Sequence, residues 1–128
     1  MHINMLTVTV RDYDEAISFY TRVLGWRLLE DTDRGEGKRW VRVSPGDSGP
    51  CILLARAVGE RQLASVGNQT GGRVFVFLYT EDFWRDYREL TARGVVFVRE
   101  PVVQPYGIVG VFEDLYGNLF DLIGLAQS

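Results

Sequence analysis

The chain has one cysteine, Cys51, and one histidine, His2, among its 128 residues. A single thiol forms no internal disulfide, and one imidazole cannot assemble a Cys/His zinc cluster. Cys51 therefore reads as a small packed side chain and His2 as a frayed terminal residue. No apolar run approaches the ~20 residues that cross a bilayer as a helix. The alternating segment INMLTVTV follows with no signal-peptide pattern, so a cytoplasmic protein without a membrane partner is expected. Basic residues are not in excess either: 14 Lys and Arg stand against 17 Asp and Glu, interspersed, for a net charge of −3. That balance leaves no basic stripe for phosphates, and no nucleic-acid partner is expected. What is present is a 46% hydrophobic content, enough for one domain with a real core over residues 1–128.

Two stretches follow one plan. VTVRDYDEAISFYTRVLGWRLLED and FLYTEDFWRDYRELTARGVVFVRE each read as strand, acidic turn, amphipathic helix, glycine, strand. In the first, Ala16, Phe19, Tyr20, Val23 and Leu24 recur at helical spacing, Asp12 and Glu15 suit a capping box, and Gly25 suits a left-handed cap. In the second, Phe83, Trp84, Tyr87 and Leu90 form the apolar face and Gly94 ends the helix. Asp12 to Gly25 and Glu81 to Gly94 are both separations of 13 residues. Further strands follow each helix: WRLLED, RWVRVS and CILLAR, then VVFVRE, GIVGVFE and NLFDLIG. The fold class expected is α+β, two tandem βαβββ modules over residues 1–57 and 73–126. The glycine-rich linker 58–72 is expected to hold one short helical turn around Glu60 to Ser65. Helices on one side of each sheet leave the other face open, and two such faces brought together make a cleft.

Strand alternation sorts side chains between the helix-packed and open faces. Leu6, Val8, Val10, Val41, Val43, Ile52, Leu54, Val74, Val76, Leu78, Phe120 and Leu122 are expected inside. The open face then carries Met5, Thr7, Thr9, Trp40, Arg42, Cys51, Leu53, Phe75, Phe77, Tyr79, Leu119, Asp121 and Ile123. Asp121 is an acid inside an apolar run, which is expensive unless something binds it. The ligand-binding residues expected from this sorting are Trp40, Arg42, Phe75, Phe77, Tyr79, Tyr106 and Asp121, an aromatic site with a few polar groups. The plainer reading is that these rings pack against another sheet or a second copy.

VRDYDEAISFYTRVLGW and VFEDLYGNLFDLI resemble the first helix and the closing hairpin of the vicinal oxygen chelate superfamily, which includes glyoxalase I, extradiol dioxygenases, fosfomycin-resistance transferases and bleomycin-binding proteins. The similarity runs from Ile3 to Gly124. It implies paired βαβββ modules, commonly a homodimer, and in the enzymes a divalent metal held from four strand positions. Those positions fall here on Met5, Leu53, Phe75 and Asp121. Such a centre needs about three protein ligands while leaving room for two substrate oxygens. One carboxylate among Met, Leu and Phe does not supply them, so neither metal nor cofactor is expected.

Three functions compete on these residues. The leading expectation is a metal-free protein binding a small aromatic or cationic molecule, as the bleomycin-binding members do. The second is acid–base chemistry with Asp121 as base and Tyr79 or Tyr106 as acid. The third is a metal enzyme of the superfamily, a glyoxalase-type lyase or a dioxygenase, with ligands drawn from Gln69, Glu100, Gln104 or Glu113. Arg42 is the first candidate for an ion pair with Asp121. VVQPYGIV reads either as a segment closing over the cleft or as a hairpin shaped by Pro101 and Pro105.

Overall fold

The computed structural model describes residues 1–125, and Ala126, the last residue of the second expected module, lies outside them. The described chain forms two compact units that divide after Gln69.

The first unit runs β1 (Met5–Val10), α1 (Tyr13–Ser18), a π-helical turn (Phe19–Val23), β2 (Arg27–Gly35), β3 (Lys38–Ser44), β4 (Cys51–Arg56) and α2 (Glu60–Ser65). Its sheet has the order β1-β4-β3-β2, with β1 parallel to β4 and the other pairs antiparallel. The second unit runs β5 (Val74–Thr80), α3 (Phe83–Ala92), β6 (Phe97–Gln104), β7 (Gly107–Glu113) and β8 (Leu119–Leu125), in the order β5-β8-β7-β6. The βαβββ plan thus holds in both halves, and the helical turn in the connection covers Glu60–Ser65 as expected.

The capping chemistry also repeats. Asp12 accepts the Glu15 N–H at 2.8 Å, and Asp82 accepts the Arg85 N–H at 3.1 Å. The second cap is therefore Asp82 and not Glu81, so the two cap-to-glycine distances differ by one residue. The first helix absorbs its extra residue by winding Phe19–Val23 as a π turn, with Leu24 N–H bonded to Phe19 O at 3.0 Å. Gly25, at φ +78°, then turns the chain so that Trp26 N–H reaches Tyr20 O at 2.9 Å.

Under the first helix lie Val8, Val10, Val41, Val43 and Leu54, and these and Tyr20 of its π turn are fully buried. From α3 a run of rings leads into the core: Tyr87 of the helix, then Phe97, Phe112 and Phe120, follow one another at centroid distances of 4.7, 5.5 and 5.2 Å. Two residues assigned to the interior, Leu6 and Trp84, are exposed. Leu6 lies on the edge strand β1 and is 45% exposed, and Trp84 is 41% exposed on α3. Val74, Val76 and Leu78 are half-buried. Pro101 lies within β6, while Pro105 and Tyr106 form the β6–β7 turn, so VVQPYGIV is a hairpin.

Candidate functional site

The open face of the second sheet is built by three residue rows. Phe77, Asp121, Val111 and Arg99 are ladder neighbours across β5, β8, β7 and β6. Tyr79, Ile123, Val109 and Val102 form the next row, and Leu119 pairs with Glu113 on the far side. Phe77 and Tyr79 are 61% and 68% exposed, a large uncovered aromatic surface for two neighbouring strand positions. Tyr106 is also exposed, but in the hairpin turn.

Asp121 is half-buried in the middle of this face. Desolvation by its apolar neighbours pushes its carboxyl above the usual carboxylate range, and the positive charge of Arg99 opposes that only in part. The folded protein therefore holds a proton on Asp121 more tightly than the unfolded chain does. Stability contributed by this group falls as pH rises from the unfolded value, about 3.9, through the raised folded value. Asp121→Asn is accordingly expected to raise the melting temperature at pH 7, with the gain disappearing in a pH series carried below the ordinary Asp range. A variant less stable than the parent at pH 7 would show instead that the carboxylate is favourably paired.

Phe75 does not stand beside Asp121. A bulge between Val74 and Val76 takes it out of the ladder, and its ring meets that of Phe120 edge-on at 6.2 Å. Phe77 takes the place opposite the acid.

In the first unit, Thr7, Leu53, Arg42 and Glu30 form one row and Thr32 faces Trp40 in the next. Arg42 has a partner other than the one expected: its Nε donates to Glu30 Oε1 at 2.9 Å, and its Nη1 lies 3.7 Å from the buried Cys51 Sγ. Thr32 donates to Glu30 Oε2 at 2.8 Å, and the Thr32 and Arg42 hydrogen bonds hold the Glu30 carboxyl below its ordinary range. Glu30 and Thr32 were absent from the sequence reading, although β2 alternation opposite β3 would have brought them to this face. The Arg34 guanidinium covers the Trp40 ring at 5.6 Å from its centroid, so one side of that indole is already occupied.

The donor set does not fit a catalytic metal. Of Met5, Leu53, Phe75 and Asp121 only the last offers oxygen, and no group of three or more His, Cys, Asp and Glu side chains among the described residues is placed to hold an ion. Of the alternative ligands, Gln69 Oε1 accepts from Thr9 N and Oγ1, each at 3.1 Å, tying the connection to strand β1. Glu100 accepts from Tyr87 at 3.3 Å, Gln104 lies exposed at the end of β6, and Glu113 pairs with Leu119 at the end of its row.

The family model described as the Glyoxalase/Bleomycin resistance protein/Dioxygenase superfamily matches residues 2–122. An uncharacterised protein of Shewanella frigidimarina (strain NCIMB 400) is 56% identical over 94% of this chain and 90% of its own length. Among solved structures, UcmS2 is 32% identical with a TM-score of 0.84, covering 96% of this chain and 97% of that one. TnmS3, an antibiotic binding protein from Streptomyces sp. CB03234, is 27% identical with a TM-score of 0.78 over 98% of this chain and 97% of its own.

Proposed function

Since the chain belongs to the Glyoxalase/Bleomycin resistance protein/Dioxygenase superfamily, we propose that it is a binding member of that superfamily, taking a small aromatic, cationic molecule without a resident metal. The observation that carries this reading is the sheet face on which the exposed rings of Phe77 and Tyr79 flank an acid that costs stability. A half-buried carboxylate that lowers stability is often a binding group. A cationic ligand stacked on the rings would remove that penalty by pairing with it. The antibiotic-binding neighbour supports a small-molecule ligand.

The reading is tested by thermal shift with planar aromatic cations and their neutral analogues, alongside elemental analysis of the purified protein. A true ligand at ~100-fold above its Kd adds roughly 2.7 kcal/mol of stability. Phe77→Ala is expected to remove most of the shift, and Asp121→Asn to remove the preference for cations. A stoichiometric metal, or cations shifting no more than neutral rings, would overturn the reading. The acid–base alternative has one observation in its favour, the raised proton affinity of Asp121 one row from Tyr79.

A further inference from the structure

The second unit also has a concave surface on the helix-bearing side of its sheet. Gly124 lies against the first turn of α3, where an added Cβ would sit 2.7 Å from Phe83 Cβ, so the helix approaches the sheet closely at that point. Beside this contact a cavity of about 370 Å³ opens between the start of α3 and the β6–β7 hairpin. That volume is within the ~300–1,000 Å³ range of small-molecule sites.

The lining has a definite chemistry. Val103 and Ile108, paired across the hairpin, are apolar, and the indole of Trp84 stands half-exposed beside them. The polar groups are Glu81, Asp82 and Gln104. Asp82 uses Oδ1 to cap the helix, and the side chains of Glu81 and Gln104 have no hydrogen bond or ion pair among the described residues. No Lys, Arg or His lines the cavity, and Arg85 on the same helical turn donates its Nε to Asp86 at 3.3 Å. Carboxylates, an aromatic face and an apolar floor, with no cation to neutralise them, together recognise a protonated amine carrying a hydrocarbon or aromatic body.

We propose that this cavity is a second binding site, for a small apolar or aromatic ammonium compound, distinct from the face that carries Asp121. The ammonium is held by Glu81 with the Trp84 ring, and the body of the molecule rests on Val103 and Ile108. This assignment does not depend on the function proposed above.

The test is an NMR titration of the isotope-labelled full chain with phenethylammonium and, separately, with phenethyl alcohol. Saturable shifts of the Trp84 indole and of the Gly107 and Gly124 amides are expected with the ammonium. Glu81→Gln, an exposed substitution, should weaken that binding about fivefold, and the alcohol should bind weaker by a similar factor. Asp121→Asn should leave these shifts unchanged. Absence of saturable shifts at Trp84, shifts confined to Phe77 and Tyr79, or equal binding of the alcohol would each overturn the assignment.

Discussion

Asp114→Ala is expected to destabilise the protein by about 3 kcal/mol or more, because three donors lose their acceptor at a buried turn. Asp114 Oδ1 accepts the N–H groups of Tyr116 and Asn118, both at 2.9 Å, and Oδ2 accepts from Asn118 Nδ2 at 2.9 Å. The loop is closed by Asp114 N–H to Asn118 O at 2.9 Å and by Gly117 N–H to Asp114 O at 3.1 Å. Both side chains are nearly inaccessible, 6% and 3% exposed, so water cannot easily take over the lost bonds. Urea denaturation should show a lower midpoint at unchanged slope. Asp114→Asn, which keeps an acceptor oxygen, should fall between the two. A midpoint for the alanine variant equal to the parent's would show that the turn does not depend on this brace. The turn connects β7 to β8, so the register that carries Asp121 onto the open face starts from these bonds.

The second large effect is expected at Gly107. Its backbone sits at φ +153°, and an added Cβ would stand 2.1 Å from Gly124 O and 3.1 Å from both Gly124 C and Leu125 Cα. All three are backbone atoms of the paired strand, so nothing can swing aside without parting β7 from β8. Gly107→Ala should cost about 3 kcal/mol, lowering the melting temperature by roughly 10 °C for a chain of this size. Gly94→Ala is the control. There φ is +94° but nothing lies within 4 Å of the added Cβ, so only conformational strain of about 1 kcal/mol is expected. Equal losses in calorimetry would mean that strain, and not the clash with Gly124, dominates.

Much of the architecture was legible because it rests on local rules. Period-two alternation identified Val8, Val41, Val43, Leu54, Phe120 and Leu122 as interior, and all are buried. Asp12 and the two cap glycines marked the helices, with the second start lying one residue after Glu81, and composition marked the turn at Glu60–Ser65. What failed depended on neighbours that alternation does not specify. Leu6 follows the interior pattern of its strand, yet it is 45% exposed while Val8 and Val10 of the same edge strand are fully buried. Phe75 obeys the alternation until a bulge inserts it between two ladder positions. Arg42 faces the expected side, yet its partner is set by the register of β2, itself broken between Leu28 and Glu30. For the candidate site the shared sheet face of Phe77, Tyr79 and Asp121 was legible, while the partner of Arg42 and the covering of Trp40 come from long side chains whose reach no spacing encodes.

The π turn at Phe19–Val23 has a consequence beyond its own hydrogen bonds. The helices of the two halves differ by one residue between cap and glycine, yet both halves emerge into the same succession of three strands. A surplus residue in a strand would invert every side chain after it; wound into a helix as a wider turn, it changes only the helical pitch locally. Copies of one plan can thus drift in length in the helix while their sheets stay in phase, and where a ladder does carry a surplus residue, as at Phe75, a bulge absorbs it.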